Sequence, residues 1–174
     1  MKTDIKTITT LHDLLDYDAG KFTSGEIQLR GILPEWINKA QSLKLKTVFQ
    51  KYIDFVQQHV EMLAGFYEQE KIDSLSITNR VMHSFIEEAE EKLNNCTDAE
   101  VKDACLLAAV QAICHFKIST YGTAAAFANA LGMEKQAVIF HEAEVNEKQI
   151  DDRLSQLAEH EINMKAKAPI VLPG

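Results

Sequence analysis

Ionisable side chains interrupt the apolar stripes of this 174-residue chain at four separate places. Apolar residues recur at intervals of three and four along most of the sequence, and at about 100° per residue such positions form one face of a helix. The polar residues on these faces are Glu26, His59, Cys114, Lys117 and Glu147. A buried, unpaired carboxylate is costly, so two glutamates inside one bundle require protons or a cation.

A metal ion or the Lys117 ammonium could supply that cation. Carboxylates from facing helices together with a histidine are the ligand pattern of di-metal bundles. In the other arrangement Lys117 bridges Glu26 and Glu147, while His59 and Tyr121 donate further hydrogen bonds. A reduced mononuclear site would instead combine hard and soft donors that are compatible with zinc or iron. Its candidate ligands are Glu26, His59, Cys114 and Glu147.

Each of these positions also has a simpler structural explanation. A single glutamate on an apolar stripe can lie at a helix end or at the rim of a bundle, and His59 can be a satisfied core residue. Cys114 can pack as a small hydrophobe. Lys117 lies at the edge of its face and can extend its ammonium to solvent. The occurrence of Glu26 and Glu147 on two different helices favours a shared site.

Five helices must position these residues, because β-branched residues never alternate and only 7 glycines and 3 prolines are present. The predicted helices span residues 8–41, 44–70, 76–94, 98–131 and 134–163. Long helices joined by short loops form an antiparallel bundle. We therefore predict an all-α four-helix bundle with the third helix as an additional short element. The predicted organisation is an arm at 1–7, a single helical domain at 8–163 and a flexible tail at 164–174.

Local signals predict the ends and the weak points of these helices. Thr97 and Glu100 form a T-x-x-E capping box that opens the fourth helix, and Gly132 follows that helix as a C-terminal cap. Pro34 is expected to kink or divide the first helix. Glycines earlier in the first helix predict a loose or broken segment there. They are Gly20 and Gly25.

The overall composition argues against several classes of function. The net charge is −8 and no basic stripe is present, whereas nucleic-acid binding needs clustered Lys and Arg. The N-terminus lacks the apolar core of a signal peptide, and no uninterrupted apolar run nears membrane-spanning length, so we expect no membrane partner. The cysteines are odd in number and lack CxxC spacing, which predicts reduced thiols in the cytoplasm. They are Cys96, Cys105 and Cys114.

Sequence motifs of catalysis do not occur in the chain. There is no G-x-S-x-G, no P-loop, no H-E-x-x-H and no Gly-rich nucleotide loop. The one candidate nucleophile, Cys114, has no good general base on its own helix face. Enzymatic activity is therefore not predicted. A further possibility is a helical module that binds a protein partner along an exposed face, with the inner polar residues incidental.

Four segments of the chain resemble the YciF-like stress-protein family of the ferritin-like superfamily, a domain of unknown function. The segments are TLHDLLDYDAGKFTSGEIQL, MHSFIEEAEEKL, DACLLAAVQAICHFKISTYGTAAAFANALG and AEVNEKQIDDRLSQLA. The resemblance implies a ferritin-like bundle, an association with bacterial stress responses and a homodimer. It also implies descent from a di-metal carboxylate centre, in which Glu26 matches the glutamate of the first helix.

The sequence departs from that family at most of the metal-binding positions. The fourth-helix pattern Glu-His-x-Glu reads Cys-His-Phe-Lys at residues 114–117. The second-helix Glu-Glu reads Asp54–Phe55, and the last-helix Glu-Glu reads Asn146–Glu147. A dinuclear site needs about four carboxylates and two histidines, and an added ammonium repels a divalent metal. We therefore predict a non-catalytic bundle without a cofactor. The predicted vestigial site is Glu26, His59, Cys114, Lys117, Tyr121 and Glu147.

Overall fold

Helices form all of the regular structure in the computed structural model, which describes residues 7–71 and 77–167. The elements are α1 (Leu11–Lys39), α2 (Leu43–Glu70), α3 (Arg80–Asn95), α4 (Ala99–Ala130), α5 (Glu134–Leu157), a π-helical turn (Ala158–Ile162) and α6 (Asn163–Ala166). The all-α prediction is confirmed, and the predicted helix boundaries agree to within a few residues. Residues 1–6 of the predicted arm (1–7) and residues 168–174 of the predicted tail (164–174) lie outside the described residues, and the division into arm, domain and tail stays a prediction.

Side-chain and backbone caps set the ends of α4. Asp98 precedes the helix, and its carboxylate accepts hydrogen bonds of 2.9 Å from the backbone N–H groups of Glu100 and Val101. The predicted cap at Thr97 is therefore wrong by one residue. Asp98 is the favoured cap because its carboxylate also interacts favourably with the positive end of the helix dipole. Gly132 has φ +71° directly after the helix, which confirms the predicted C-terminal cap.

The first helix is continuous, contrary to the prediction of a loose or divided segment. Pro34 lies on the exposed face of α1, so the backbone carbonyl that loses its partner there can be solvated. Gly25 lies against α3, where an added Cβ would come within 2.9 Å of the Asn79 amide nitrogen. At Gly20 an added Cβ would lie 3.3 Å from Ile77. These glycines permit close packing of the chain around the start of α3.

Two apolar clusters fill the bundle, one toward each end of its long axis. The first contains Trp36, Phe49, Leu107 and Leu154 among its buried members. The second contains Leu15, Phe66, Ala128 and Phe140. On each long helix the clusters adjoin across a few residues, and those intervening positions carry the polar side chains that the sequence placed on the inward faces. The fold therefore brings the four polar interruptions to one level between two apolar regions.

The core helix α4 is long and apolar enough to cross a membrane by length and composition alone. In the structure it packs against α1, α3 and α5 instead. It also carries two buried charged residues, Asp103 and Lys117. The Asp103 carboxylate accepts hydrogen bonds from the backbone N–H groups of Gln41 and Ser42, 2.7 and 2.9 Å long, and so holds the α1–α2 turn against α4. The apolar character of α4 is that of a helix at the centre of a bundle.

Candidate functional site

A buried layer of charged residues crosses the bundle between the two apolar clusters. Each long helix contributes one member, and the four are 0–3% exposed: Glu26 from α1, His59 from α2, Lys117 from α4 and Glu147 from α5. On every helix the flanking inward residues are apolar or aromatic, so the position of each polar side chain follows from the helical spacing of its neighbours. We call these four residues, with the two tyrosines described below, the charged layer.

Lys117 lies at the centre of the charged layer and contacts both carboxylates. Its Nζ is 3.0 Å from each carboxylate oxygen of Glu26, and it forms a direct ion pair with Oε1 of Glu147. The same ammonium donates a 3.3 Å hydrogen bond to the Tyr52 hydroxyl and lies 4.9 Å from the centre of that ring. One side-chain cation therefore bridges two glutamates from opposite parts of the sequence.

Two tyrosines complete the hydrogen bonding of the carboxylates. The Tyr121 hydroxyl donates to Oε1 of Glu26 over 2.6 Å, and the Tyr52 hydroxyl donates to Oε2 of Glu147 over 2.5 Å. Tyr121 was among the predicted site residues, whereas Tyr52 was assigned only to the apolar stripe of α2. A buried tyrosine needs a partner for its hydroxyl, and that requirement is the sequence signal that could have identified Tyr52.

His59 faces the layer with one ring nitrogen and the edge of α5 with the other. Its Nδ1 lies 3.4 Å from Oε1 of Glu26 and 3.7 Å from Oε1 of Glu147. The Asn146 side-chain amide lies 3.3 Å from Nε2. With that amide donating to Nε2, the imidazole carries a proton on Nδ1 and presents it to the carboxylates.

Burial and charge act in opposite directions on the groups of the layer. Burial would raise the pKa of Glu26, but attraction by Lys117 and hydrogen bonds from His59 and Tyr121 lower this pKa to about 2. Burial raises the pKa of Glu147, and the charge of Glu26 adds to this effect against the attraction of Lys117. Burial would lower the pKa of Lys117, yet the two carboxylates raise it. Lys117 therefore offsets the burial of both carboxylates, and the pKa values of Glu26 and Glu147 shift in opposite directions.

Cys114 lies beside this layer and not within it. The thiol is fully buried and belongs to the apolar cluster that includes Trp36 and Leu154. Burial, together with the negative charge of Glu147, holds the pKa of Cys114 well above its usual value. The side chain is therefore a neutral thiol, which is a poor metal ligand.

The structure also places two residues at positions of the family pattern, Asp54, which departs from that pattern, and His115, which keeps it. Asp54 is exposed on α2, and its neighbour Phe55 packs in the core. His115 is exposed on α4 and pairs with Asp151 of α5 at 3.0 Å. Neither Asp54 nor His115 contributes to the charged layer.

The donor set of the layer does not match a dinuclear metal centre. One ligand atom from each of Glu26, His59 and Glu147 can be chosen so that all three lie within 4.8 Å of one another. Two carboxylates and one histidine are fewer than the roughly four carboxylates and two histidines of di-metal bundles. The Lys117 ammonium moreover contacts both carboxylates, where it would repel a divalent ion.

A second group of histidine and carboxylates lies at the surface near the start of α1, and sequence reasoning missed it. His12 Nδ1 is 3.3 Å from Oδ2 of Asp16, and His12 Nε2 is 3.5 Å from Oε2 of Glu70 at the end of α2. His12 is 45% exposed at its side chain. The spacing of His12 and Asp16, four residues apart on one helix, was the available local signal. We call this trio the surface group.

Residues 10–167 match the family model described as "Domain of unknown function (DUF892)". Protein YciF of Escherichia coli (strain K12) is 31% identical over 161 residues, which cover 91% of this chain and 96% of YciF.

Solved structures share the fold along most of the chain. The crystal structure of the E. coli stress protein YciF has a TM-score of 0.83 at 29% identity and covers 90% of this chain and 99% of its own. YcfI from Rhodopseudomonas palustris has a TM-score of 0.82 at 25% identity, covering 89% and 97%. A two-domain Anabaena variabilis protein with DJ-1/ThiJ/PfpI-like and ferritin-like domains has a TM-score of 0.57 at 17% identity, covering 95% of this chain and 40% of its own. The last match bears on the fold alone.

Proposed function

The chain belongs to the DUF892 family, and from that premise we propose that it is a stress-associated ferritin-like protein without catalytic activity, in which Lys117 replaces the charge of a metal. The observation that carries this proposal is the contact of one ammonium with both buried carboxylates, Glu26 and Glu147. The description of the E. coli relative as a stress protein supports the biological setting.

The chemistry of an ammonium explains why the proposed role is structural. Lys117 neutralises carboxylate charge as a metal ion would, but it has no redox state and no open coordination position for oxygen or substrate. The layer then joins α1, α2, α4 and α5 through charge-assisted hydrogen bonds. The protein would act through its surface or through a cytoplasmic homodimer, and sedimentation analysis of the purified chain tests the dimer.

The alternative function is binding of iron or zinc at a site that has fewer carboxylate and histidine ligands than a di-metal centre. The close approach of the Glu26, His59 and Glu147 ligand atoms favours this alternative. Occupancy by a metal ion would require the Lys117 ammonium to leave its present contacts. The neutral Cys114 thiol would have to lose its proton before it could bind the metal. The surface group offers a second location for weak metal binding, so an experiment must separate the two positions.

Elemental analysis and calorimetric titration with Fe²⁺ and with Zn²⁺ test the proposal. The wild-type protein is compared with Glu26→Gln, which removes one carboxylate charge of the layer, and with His12→Ala, which removes the histidine of the surface group. We expect no stoichiometric metal in the layer. Any weak Zn²⁺ binding should be lost in His12→Ala and retained in Glu26→Gln.

A Lys117→Gln variant provides the matched gain of function. Removing the ammonium should raise the affinity of the layer for Zn²⁺ relative to wild type, and the gain should vanish when Glu26→Gln is added. Stoichiometric iron or zinc in the wild-type protein that is lost in Glu26→Gln would overturn the proposal and establish the metal-binding alternative. Circular dichroism of each variant verifies that the helical fold is kept.

A further inference from the structure

Two cysteines that are nine residues apart in sequence meet in space at the α3–α4 turn. Cys96 caps the C-terminus of α3, and its backbone N–H donates to the Leu93 carbonyl over 3.1 Å. Cys105 lies about two turns into α4, on the side that faces back toward α3. Both cysteines line the same groove between the two helices, and the neighbouring Cys96 contributes to the raised pKa of Cys105.

This thiol pair is accessible, unlike the third cysteine. Cys96 and Cys105 are each partly exposed, whereas Cys114 is fully buried. Both line a groove of about 590 Å³ between α3 and α4. The other walls of the groove are mainly apolar and include Phe85, Ala89 and Ala108. A small reagent can therefore reach the pair from solvent without unfolding the bundle.

We propose that Cys96 and Cys105 are a reversible thiol–disulfide modification site that reacts with low-molecular-weight disulfides. The thiolate of one cysteine attacks a sulfur of the reagent disulfide and releases one reagent thiolate, which leaves a mixed disulfide on the protein. The second cysteine then attacks the protein sulfur of that mixed disulfide and releases the other reagent thiolate. Two protein thiols are oxidised, one reagent disulfide is reduced to two thiols, and the two protons pass to the released thiolates.

The surroundings of Cys105 make its exchange reaction depend on pH, because they suppress its thiolate form. Burial raises the pKa of Cys105, and the neighbouring Cys96 adds to this rise, while the Lys92 ammonium opposes it. Lys92 lines the same groove as the two thiols. The exchange should therefore be slow at neutral pH, accelerate as the pH rises, and slow further in Lys92→Met.

Formation of the disulfide would tie the end of α3 to the body of the bundle. The start of the same helix covers one side of the charged layer, because Asn79 and Met82 line a small cleft together with Glu26 and Lys117. Oxidation would therefore restrict the helix that shields the layer. This consequence does not depend on whether the layer binds metal.

Oxidised glutathione, added in excess to the full-length protein and followed by mass spectrometry, tests the proposal. We expect the intact chain to lose two hydrogens and to yield a peptide joining Cys96 to Cys105. Alkylation of both residues should be lost and then restored by dithiothreitol. Cys114→Ala should react as the wild type does, whereas Cys96→Ser and Cys105→Ser should stop at a mixed disulfide.

Other products would contradict the proposal. A wild-type protein that keeps stable glutathione on either cysteine, that remains fully alkylatable, or that forms disulfides only between chains would show that the two thiols do not pair. Hydrogen exchange provides a second readout, because oxidation should slow exchange in the last turns of α3 in the wild type and in Cys114→Ala only. Unchanged exchange despite a formed disulfide would overturn the proposed restriction of α3.

Discussion

The charged layer and the surface group contain the same kinds of side chain, one histidine and two carboxylates, but they balance their charges differently. In the layer, His59 lies between Glu26 and Glu147, and all three are almost fully buried. In the surface group, His12 pairs with two partly exposed carboxylates while its own side chain is 45% exposed. In the layer, a cation, Lys117, and two tyrosine hydroxyl donors also contact the carboxylates.

This difference shows how the environment determines the role of one set of residue types. Water and dissolved ions stabilise exposed carboxylates, so their partners contribute little to stability. A buried carboxylate has no such solvent, and every uncompensated charge costs several kcal/mol. The same trio therefore needs a fixed cation inside the bundle, whereas solvent reaches the surface group through the half-exposed His12.

Replacement of Lys117 should have the largest effect on stability. Lys117→Met keeps much of the side-chain volume but leaves Glu26 and Glu147 without their cation, so we expect a loss of about 3–5 kcal/mol in unfolding free energy. Urea unfolding at neutral pH measures this loss. The triple variant Lys117→Met with Glu26→Gln and Glu147→Gln should recover much of the stability, because no buried charge remains. A nearly neutral Lys117→Met would contradict the proposed role of the ammonium.

The acid sensitivity of the fold should depend on Glu26. Its pKa in the folded protein is lowered to about 2, from an ordinary value of 4.5. A carboxylate whose pKa is lowered in the folded state contributes to the free energy of unfolding, here by about 3 kcal/mol. This contribution is fully present above the ordinary pKa and is lost as the pH falls toward 2. Glu26→Gln should remove this loss between about pH 4.5 and 2, as followed by urea unfolding at each pH.

Glu147 gives the opposite pH dependence of stability within the same layer. Its folded pKa is raised, so its contribution to stability is lost as the pH rises above the ordinary carboxylate range. Glu147→Gln should therefore preserve the acid limb of the stability curve while Glu26→Gln removes it. Equal acid limbs in the two variants would show that the carboxylates do not differ as described.

The hydroxyl donors should contribute less than the cation. Tyr121→Phe removes the hydrogen bond to Glu26 and leaves the ring in place, and a bond to a charged group contributes about 1.5–3 kcal/mol. Thermal unfolding of Tyr121→Phe and of Tyr52→Phe measures both donors. Tyr17→Phe, at an exposed tyrosine, provides the control and should change the midpoint little. A loss in Tyr121→Phe no larger than in the control would contradict this assignment.

The sequence predicted the helices and most members of the layer because both depend on helical spacing. Glu26, His59 and Glu147 fell on apolar faces, and those faces turned inward as expected. Tyr52 was missed because a tyrosine on an apolar stripe is an ordinary core residue until the position of its hydroxyl partner is known. Cys114 occupies a stripe centre, yet its short side chain remains within the apolar cluster.

Contacts between distant segments account for the remaining differences. Gly25 of the continuous helix α1 packs against Asn79, which is 54 positions away in the chain and cannot be read from the local pattern. The surface group likewise needs the end of α2 beside the start of α1. The pairing of Cys96 with Cys105 depends on how α4 turns back on α3. Spacing along one helix contains no information about any of these three encounters.

Removal of His12 should have the smallest effect and should differ from the layer in its response to salt. His12→Ala is expected to cost at most about 1 kcal/mol, because exposed ion pairs contribute little and are screened. Urea unfolding in low and high salt should show this small loss shrinking as ionic strength rises, whereas the loss in Lys117→Met should persist. The reason is that counterions reach the exposed His12 but not the buried ammonium. Equal salt dependence in the two variants would mean that the layer is open to solvent, and the contrast between the two groups would then fail.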